Sequence, residues 1–333
     1  MGQTERAEGA RKVVETCAGV KPGESVLIIT DTRRPYSVAE SLAAVARALK
    51  SHVSVMVMSP LKMPGEEPDK IVAGAMNRAD VIFTPTTMTL GHTAALAKAL
   101  KSGARCLVLT ECTEQTLSSG GIEADFVGLR PLVDCVAERF NKARKVHITA
   151  PGGTEVWLDI TGRKAATCSG ICHNSGQMIG IPDLEVYVAP REDRTEGTIV
   201  VDGAMTGIGL IKNPVRIEVE KGRVRSIRGA KEADTLNALL DKTGDSACQV
   251  IAEFAIGLNP KAKLRGRIIE DEGVYGTGHF ALGNNSGFGG MNKAPIHFDM
   301  VYLAPTVIFD DKVFMKQGRL CDLSDQFKQL LDA

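Results

Sequence analysis

No apolar run in this 333-residue chain approaches the roughly 18 residues that a membrane span needs. The opening stretch MGQTERAEGARK has no apolar segment of the kind that marks a secretory signal. Neither sign of charge is in excess. Forty Lys and Arg balance forty Asp and Glu, so no global field draws the chain to nucleic acid or to an anionic membrane. The glycine-rich phosphate cradles are missing as well. The first apolar strand runs into Asp31-Thr32-Arg33-Arg34-Pro35, with neither G-x-G-x-x-G nor G-x-x-x-x-G-K-[ST], which argues against a dinucleotide or P-loop role. Eight scattered cysteines show no disulfide framework and are expected as reduced thiols. Cys168, Cys172 and His173 have C-x3-C spacing, one residue too long for a C-x2-C-H haem site, and no second Cys pair follows.

The first half of the chain alternates apolar runs with helical periodicity. Helices are expected over 5–19, 37–50, 68–77, 93–101 and 130–141, and strands over 24–31, 53–58, 80–84 and 105–110. Strands such as ESVLIITD are continuously apolar, as strands buried on both faces are. The expected fold class is therefore α/β: an N-terminal doubly wound parallel sheet, Rossmann-like, over residues 1–144. At the rim of such a sheet the loop TPTTMTLGHT carries His92, a candidate substrate contact.

From Lys145 the texture changes to short strands and turn signals, so residues 145–333 read as a β-rich α+β domain. VRIEVEKGRVRSIRG alternates around Lys221-Gly222 as an exposed hairpin, a helix covers 232–242, and a helix over 323–331 closes the chain.

The chemistry concentrates between Ile251 and Asp299. Glu253 sits inside the apolar run IAEFAIG, where an ionised carboxylate is costly unless something pairs with it. An ion pair with Arg265 or Arg267 would meet that need, and so would a metal. His279 lies in the strand HFALG, where a satisfied core histidine is the plainer alternative. His297 and Asp299 are two apart in IHFDM, so on a strand they present an imidazole and a carboxylate on one face. Imidazole and carboxylate without thiolate is a donor set for divalent metals.

These residues carry a resemblance. The pattern from Leu184 through Asp310 resembles the aminopeptidase T/aminopeptidase S (leucyl aminopeptidase-like) metallopeptidases. Leu184-Glu185-Val186-Tyr187 followed by Glu196-Gly197-Thr198 matches the family's first Glu segment. Glu253, Gly257, Asn259 and Pro260 match its E-x-x-x-G-x-N-P. Gly276, Thr277, His279, Ala281, Leu282 and Gly283 match G-T-x-H-x-A-L-G, and the closing H-x-D is His297 and Asp299. The resemblance implies a cytoplasmic homodimer whose C-terminal domain holds two divalent ions, zinc, cobalt or manganese, on Glu185, Glu253, His279, His297 and Asp299. It implies a hydrolase, an aminopeptidase cleaving a short peptide or amide with a water whose pKa the metals lower to about 7. Glu253 or Asp299 would bridge the ions, and Glu272 or Glu270 would serve as base or supporting carboxylate. Where the larger peptidases carry a Tyr after the first His, this chain has Asn284, Asn285 and Ser286, followed by a glycine-rich SGFGG link.

The chain is also similar to 2,5-dihydroxypyridine ring-opening dioxygenases, which hold one non-haem iron(II) on two His and one carboxylate. Their H-x-D corresponds to His297 and Asp299, and the position aligned with their other His is Glu253. The sequence therefore leads to metal-dependent hydrolysis as the first expectation and ring-opening oxygenation as the alternative. Both imply a small-molecule substrate and no nucleic-acid or membrane partner.

Overall fold

The computed structural model describes residues 3–91 and 93–332. The loop residue His92 lies outside the described residues. The chain divides into two compact units, one of Met1–Arg130 with Cys168–Asp183 and one of Pro131–Thr167 with Leu184–Ala333.

The first unit is built on a five-stranded, wholly parallel sheet. Strands β1 (Ser25–Asp31), β2 (His52–Met58), β3 (Val81–Thr84) and β4 (Arg105–Val108) run in the order β2-β1-β3-β4, and Met178–Gly180 pairs beside β4. Both faces are covered. Leu27, Ile29, Ile82 and Cys106 pack with Val72, Met76, Leu96 and Ala99 from the helices Lys70–Met76 and Ala94–Lys101. The helix Tyr36–Ala48 packs on β1 with Val38, Leu42 and Ala46 buried. The doubly wound parallel domain expected from the sequence is thus present. Strand order reverses between β1 and β3, the place where such sheets usually open to a ligand. Here Asp31 bridges that point by accepting from the backbone N–H and the hydroxyl of Thr87.

Two local features differ from expectation. The first helix is α-helical only through Gln3–Arg11 and continues as a π-type stretch, Lys12–Cys17, whose Val13 carbonyl accepts from Ala18 N–H five residues on. A single boundary after residue 144 is the sequence expectation, whereas 131–167 belong to the second unit and 168–183 return to the first. The returning strand is three residues long and sits in a Cys-, His- and Gly-containing stretch with no sustained periodicity, so the pattern rules cannot see it.

The second unit contains an eight-stranded and a seven-stranded sheet. The expected hairpin forms between Val215–Glu220 and Arg223–Arg228, with Lys221 and Gly222 both at positive φ, as a tight twisted hairpin requires. Four strands of the seven-stranded sheet carry the chemistry: β5 (Glu185–Val188), β6 (Ile251–Gly257), β7 (Thr277–Gly283) and β8 (His297–Leu303), antiparallel in the order β8-β7-β6-β5. One face of these strands is aromatic. Phe254 and Phe280 lie 5.8 Å apart and Phe280 stacks on Tyr302 at 5.3 Å. Phe140, from the helix Phe126–Lys142, stacks on Phe254 at 5.4 Å and meets Phe309 and Phe314 of the eight-stranded sheet edge-on. That ring joins the back of the four strands to the other sheet and leaves their opposite face for polar residues.

Candidate metal centre

Side chains on neighbouring antiparallel strands that are directly paired point to the same face. Asp299 pairs Ala281, and Ala281 pairs Glu253, giving one row across β8, β7 and β6. Val301, His279, Ala255 and Tyr187 form the next row, His297 pairs Gly283, and Glu185 pairs Gly257. All five donor candidates therefore project from one face, and the positions between them are Ala or Gly. Small residues there leave space above the sheet among the carboxylates and imidazoles.

The donors converge closely. His279 Nε2 lies 3.3 Å from Glu185 Oε2 and 3.3 Å from Glu253 Oε1. His297 Nε2 lies 3.3 Å from Glu253 Oε2 and 3.1 Å from Asp299 Oδ1. Each oxygen of Glu253 thus faces a different imidazole. Ligands about 2.1 Å from one ion and at right angles to each other sit about 3 Å apart, so these are spacings a divalent cation can occupy. Two trios that share Glu253 satisfy a mutual limit of 4.8 Å: Glu185–Glu253–His279 and Glu253–His297–Asp299. Glu272 reaches the same limit with His279 and Asp299. No such trio among the described residues contains both histidines.

Burial makes this arrangement consequential. His279 is 1% exposed and Glu253 4% exposed. Burial alone would raise the Glu253 pKa, but hydrogen bonds and charge from His279 and His297 outweigh it and hold the carboxyl below its usual range. Burial likewise opposes a charged His297, yet Asp299 and Glu253 prevail and hold that imidazole well above its ordinary value. A largely buried site that tends to protonate an imidazole is one that seeks positive charge, which a cation supplies more fully.

Supporting contacts fix the donors' orientation. His297 Nδ1 lies 2.8 Å from the carbonyl oxygen of Asn284, so Nδ1 carries the proton and the Nε2 lone pair is left for a metal. Thr206 holds Asp299 twice: the Asp299 N–H donates to Thr206 Oγ1 at 3.0 Å, and that hydroxyl lies 3.4 Å from Asp299 Oδ2. Neither Thr206 nor the Asn284 carbonyl has a local sequence signal: Thr206 reaches Asp299 from a turn far away in the chain, and a backbone carbonyl is carried by every residue.

The alternatives open at the sequence level resolve in geometric terms. Glu253 faces the two imidazoles, whereas Arg265 approaches Glu270 at 4.0 Å. Glu270 also accepts from the Lys263 N–H, away from the donor trios, while Glu272 lies at them.

Comparison with known proteins adds the reaction class. A family model described as 2,5-dihydroxypyridine 5,6-dioxygenase matches residues 6–322. A 2,5-dihydroxypyridine 5,6-dioxygenase from Pseudomonas putida KT2440 is 25% identical over 256 residues, covering 73% of this chain and 71% of that protein. The structure of 2,5-dihydroxypyridine dioxygenase from Pseudomonas putida KT2440 superposes with a TM-score of 0.82 at 20% identity, covering 98% of this chain and 99% of that one. AmpT from Thermus thermophilus superposes with a TM-score of 0.71 at 16% identity, covering 96% and 99%. At those identities the structural likenesses speak to the fold alone.

These findings correct the first functional expectation. Hydrolase, metallopeptidase, aminopeptidase and protease do not describe this chain, since the matching family and the curated relative are dioxygenases. The physical reason is that imidazole and carboxylate donors at these spacings serve either chemistry, so donor type and spacing point to a metal without choosing the reaction. The aminopeptidase T resemblance survives as a shared fold.

Proposed function

The chain belongs to the 2,5-dihydroxypyridine 5,6-dioxygenase family, and on that premise we propose that it opens the ring of a small hydroxylated pyridine with dioxygen, using iron(II) held by Glu253, His297 and Asp299. The observation that carries the reading is the Glu253–His297–Asp299 trio, with its oriented imidazole and the small Ala and Gly residues between the donors. Nitrogen and oxygen donors of this kind suit a divalent iron, so the residues fit the group that the family implies. The trio has one histidine and two carboxylates, which distinguishes it from a two-histidine facial triad.

Bound there, iron supplies the electron-transfer chemistry that lets ground-state dioxygen react with a closed-shell ring. The chain's own residues hold and orient. Glu253 and Asp299 bring negative charge to the metal position, His297 is locked by Asn284, and His279 with Glu185 keeps Glu253 in place. Glu272, within reach of His279 and Asp299, would accept the substrate's hydroxyl proton. In the overall reaction the bond between ring carbons 5 and 6 breaks and one oxygen atom ends on each. The ring oxidation consumes the dioxygen completely, and no outside reductant is required.

The test is anaerobic and aerobic incubation of iron-loaded protein with 2,5-dihydroxypyridine, following the loss of ring absorbance and the mass of the product. Gain of two oxygen atoms, both labelled from ¹⁸O₂, with one iron per chain supports the reading. Turnover undiminished under nitrogen, or a product lacking the label, overturns it.

A further inference from the structure

The glycine-rich link SGFGG lies between the two histidines. It is a built loop, tied at its base and anchored at its side. Asn285 is fully buried; its backbone N–H donates to the Asn292 carbonyl, its side-chain oxygen accepts from the Asn292 N–H at 2.8 Å, and its carbonyl accepts from both Phe288 and Gly290. Glu192 accepts from the Met291 N–H at 2.7 Å and from the Asn285 side chain at 3.2 Å. Arg163 pairs with Glu192 and donates to the Gly289 carbonyl. Gly290 is required by packing, since a Cβ there would lie 2.0 Å from the Asn285 side chain.

What the loop presents is one ring. Phe288 lies 5.8 Å from the His297 ring at 89° and 5.2 Å from the Tyr187 ring at 75°. Tyr187 stands in the same row as His279, two residues along β5 from Glu185. An aromatic pair is thus held edge-to-face beside the donors. Phe288 itself is half-buried in this tied loop. A loop this firmly tied has little left to gain for the fold from placing a large apolar ring beside a polar cluster.

We propose that Phe288, backed by Tyr187, is the platform on which the planar substrate ring lies while its polar atoms reach the donors, making Phe288 a specificity-determining residue. The proposal rests on the dioxygenase reading for the identity of the ring, and on the loop's geometry for the platform. Flat heteroaromatic rings stack on aromatic faces, and the loss of such a face weakens binding by about tenfold or more.

The experiment is calorimetric titration of the metal-loaded protein, without oxygen, with 2,5-dihydroxypyridine and separately with its carbocyclic counterpart hydroquinone, alongside metal content for each variant. Phe288→Ala should weaken binding by at least about tenfold with metal content unchanged, and Phe288→Tyr should stay within about threefold of the parent. Gly290→Ala, which leaves Phe288 in place chemically but displaces the loop, should resemble Phe288→Ala. Binding by Phe288→Ala within about twofold of the parent overturns the proposal, as does a parallel loss of metal, which would make the ring a support for His297. Phe288-dependent binding of hydroquinone alone keeps the platform and removes the pyridine assignment. A parent that binds neither probe overturns the platform too.

Discussion

Each oxygen of Glu253 lies 3.3 Å from the Nε2 of a different histidine, His279 on one side and His297 on the other. One carboxylate therefore sets the position of both imidazoles, and its charge serves the Glu185–His279 pair and the His297–Asp299 pair alike. Glu253→Gln keeps the shape and removes the charge. It should reduce metal content to a small fraction of the parent's after dialysis while leaving the circular dichroism spectrum unchanged. Full metal occupancy in Glu253→Gln would show that this oxygen pair is not a ligand.

Thr206 acts one step further out. Its hydroxyl donates to the Asp299 carboxylate and accepts from the Asp299 backbone N–H, so Thr206→Val should weaken metal binding by about 10–100-fold in chelator competition, the range for loss of a supporting contact. Thr206→Ser, which keeps the hydroxyl, should restore it.

Space matters as much as donors. Ala281 separates Asp299 from Glu253 in the row across the sheet and is fully buried. Ala281→Leu retains every donor but fills the gap, at about 1–3 kcal/mol of overpacking. The expected outcome is a folded, metal-free protein, read from metal content together with a cooperative denaturation curve. Metal retained at the parent level would place the ion elsewhere.

The joint between the two sheets can be tested by stability alone. Phe140 contacts Phe254, Phe309 and Phe314 and is 1% exposed. Phe140→Ala should cost about 3–5 kcal/mol in urea denaturation. A loss under about 1 kcal/mol would mean that the cavity collapses or that the ring is not central.

Asp271 offers a pH signature. Burial raises its pKa to about 6, with the neighbouring Glu270 charge adding to the effect. The folded state therefore holds this proton more tightly than the unfolded state. The resulting stability is fully present below the unfolded value of 3.8 and is lost as pH rises through about 6. Asp271→Asn, which cannot ionise, should remove that component. The difference in stability between variant and parent should grow in the variant's favour from pH 4 to pH 7 by up to about 3 kcal/mol. A pH-independent difference would contradict the assignment.

The legibility of this chain in its sequence divides along physical lines. Long apolar runs and H-x-D spacing are local, so the parallel sheet, the hairpin at Lys221-Gly222 and the pairing of His297 with Asp299 on one face could be read directly. Glu185 is nearly 70 residues from Glu253 and could be placed only by resemblance, because strand pairing, not spacing, brings it opposite Gly257. The same holds for Ala281, whose importance lies in its cross-strand partners. Thr206 and the Asn284 carbonyl were invisible for the same reason. The donors do not encode the reaction, and Phe288 has no local signal, since only the fold brings its ring against His297.

The hairpin tip at Lys221-Gly222 is geared to the Phe288 loop through a single residue, Glu192. Gly222 sits so close to the Glu192 backbone that a Cβ would lie 1.8 Å from its carbonyl oxygen. The side chain of the same Glu192 secures Met291 and Asn285. A methyl group added at Gly222 would therefore push on the far end of a lever whose other end carries Phe288. Selectivity for the ring could then be tuned from the hairpin tip, with the metal donors left untouched.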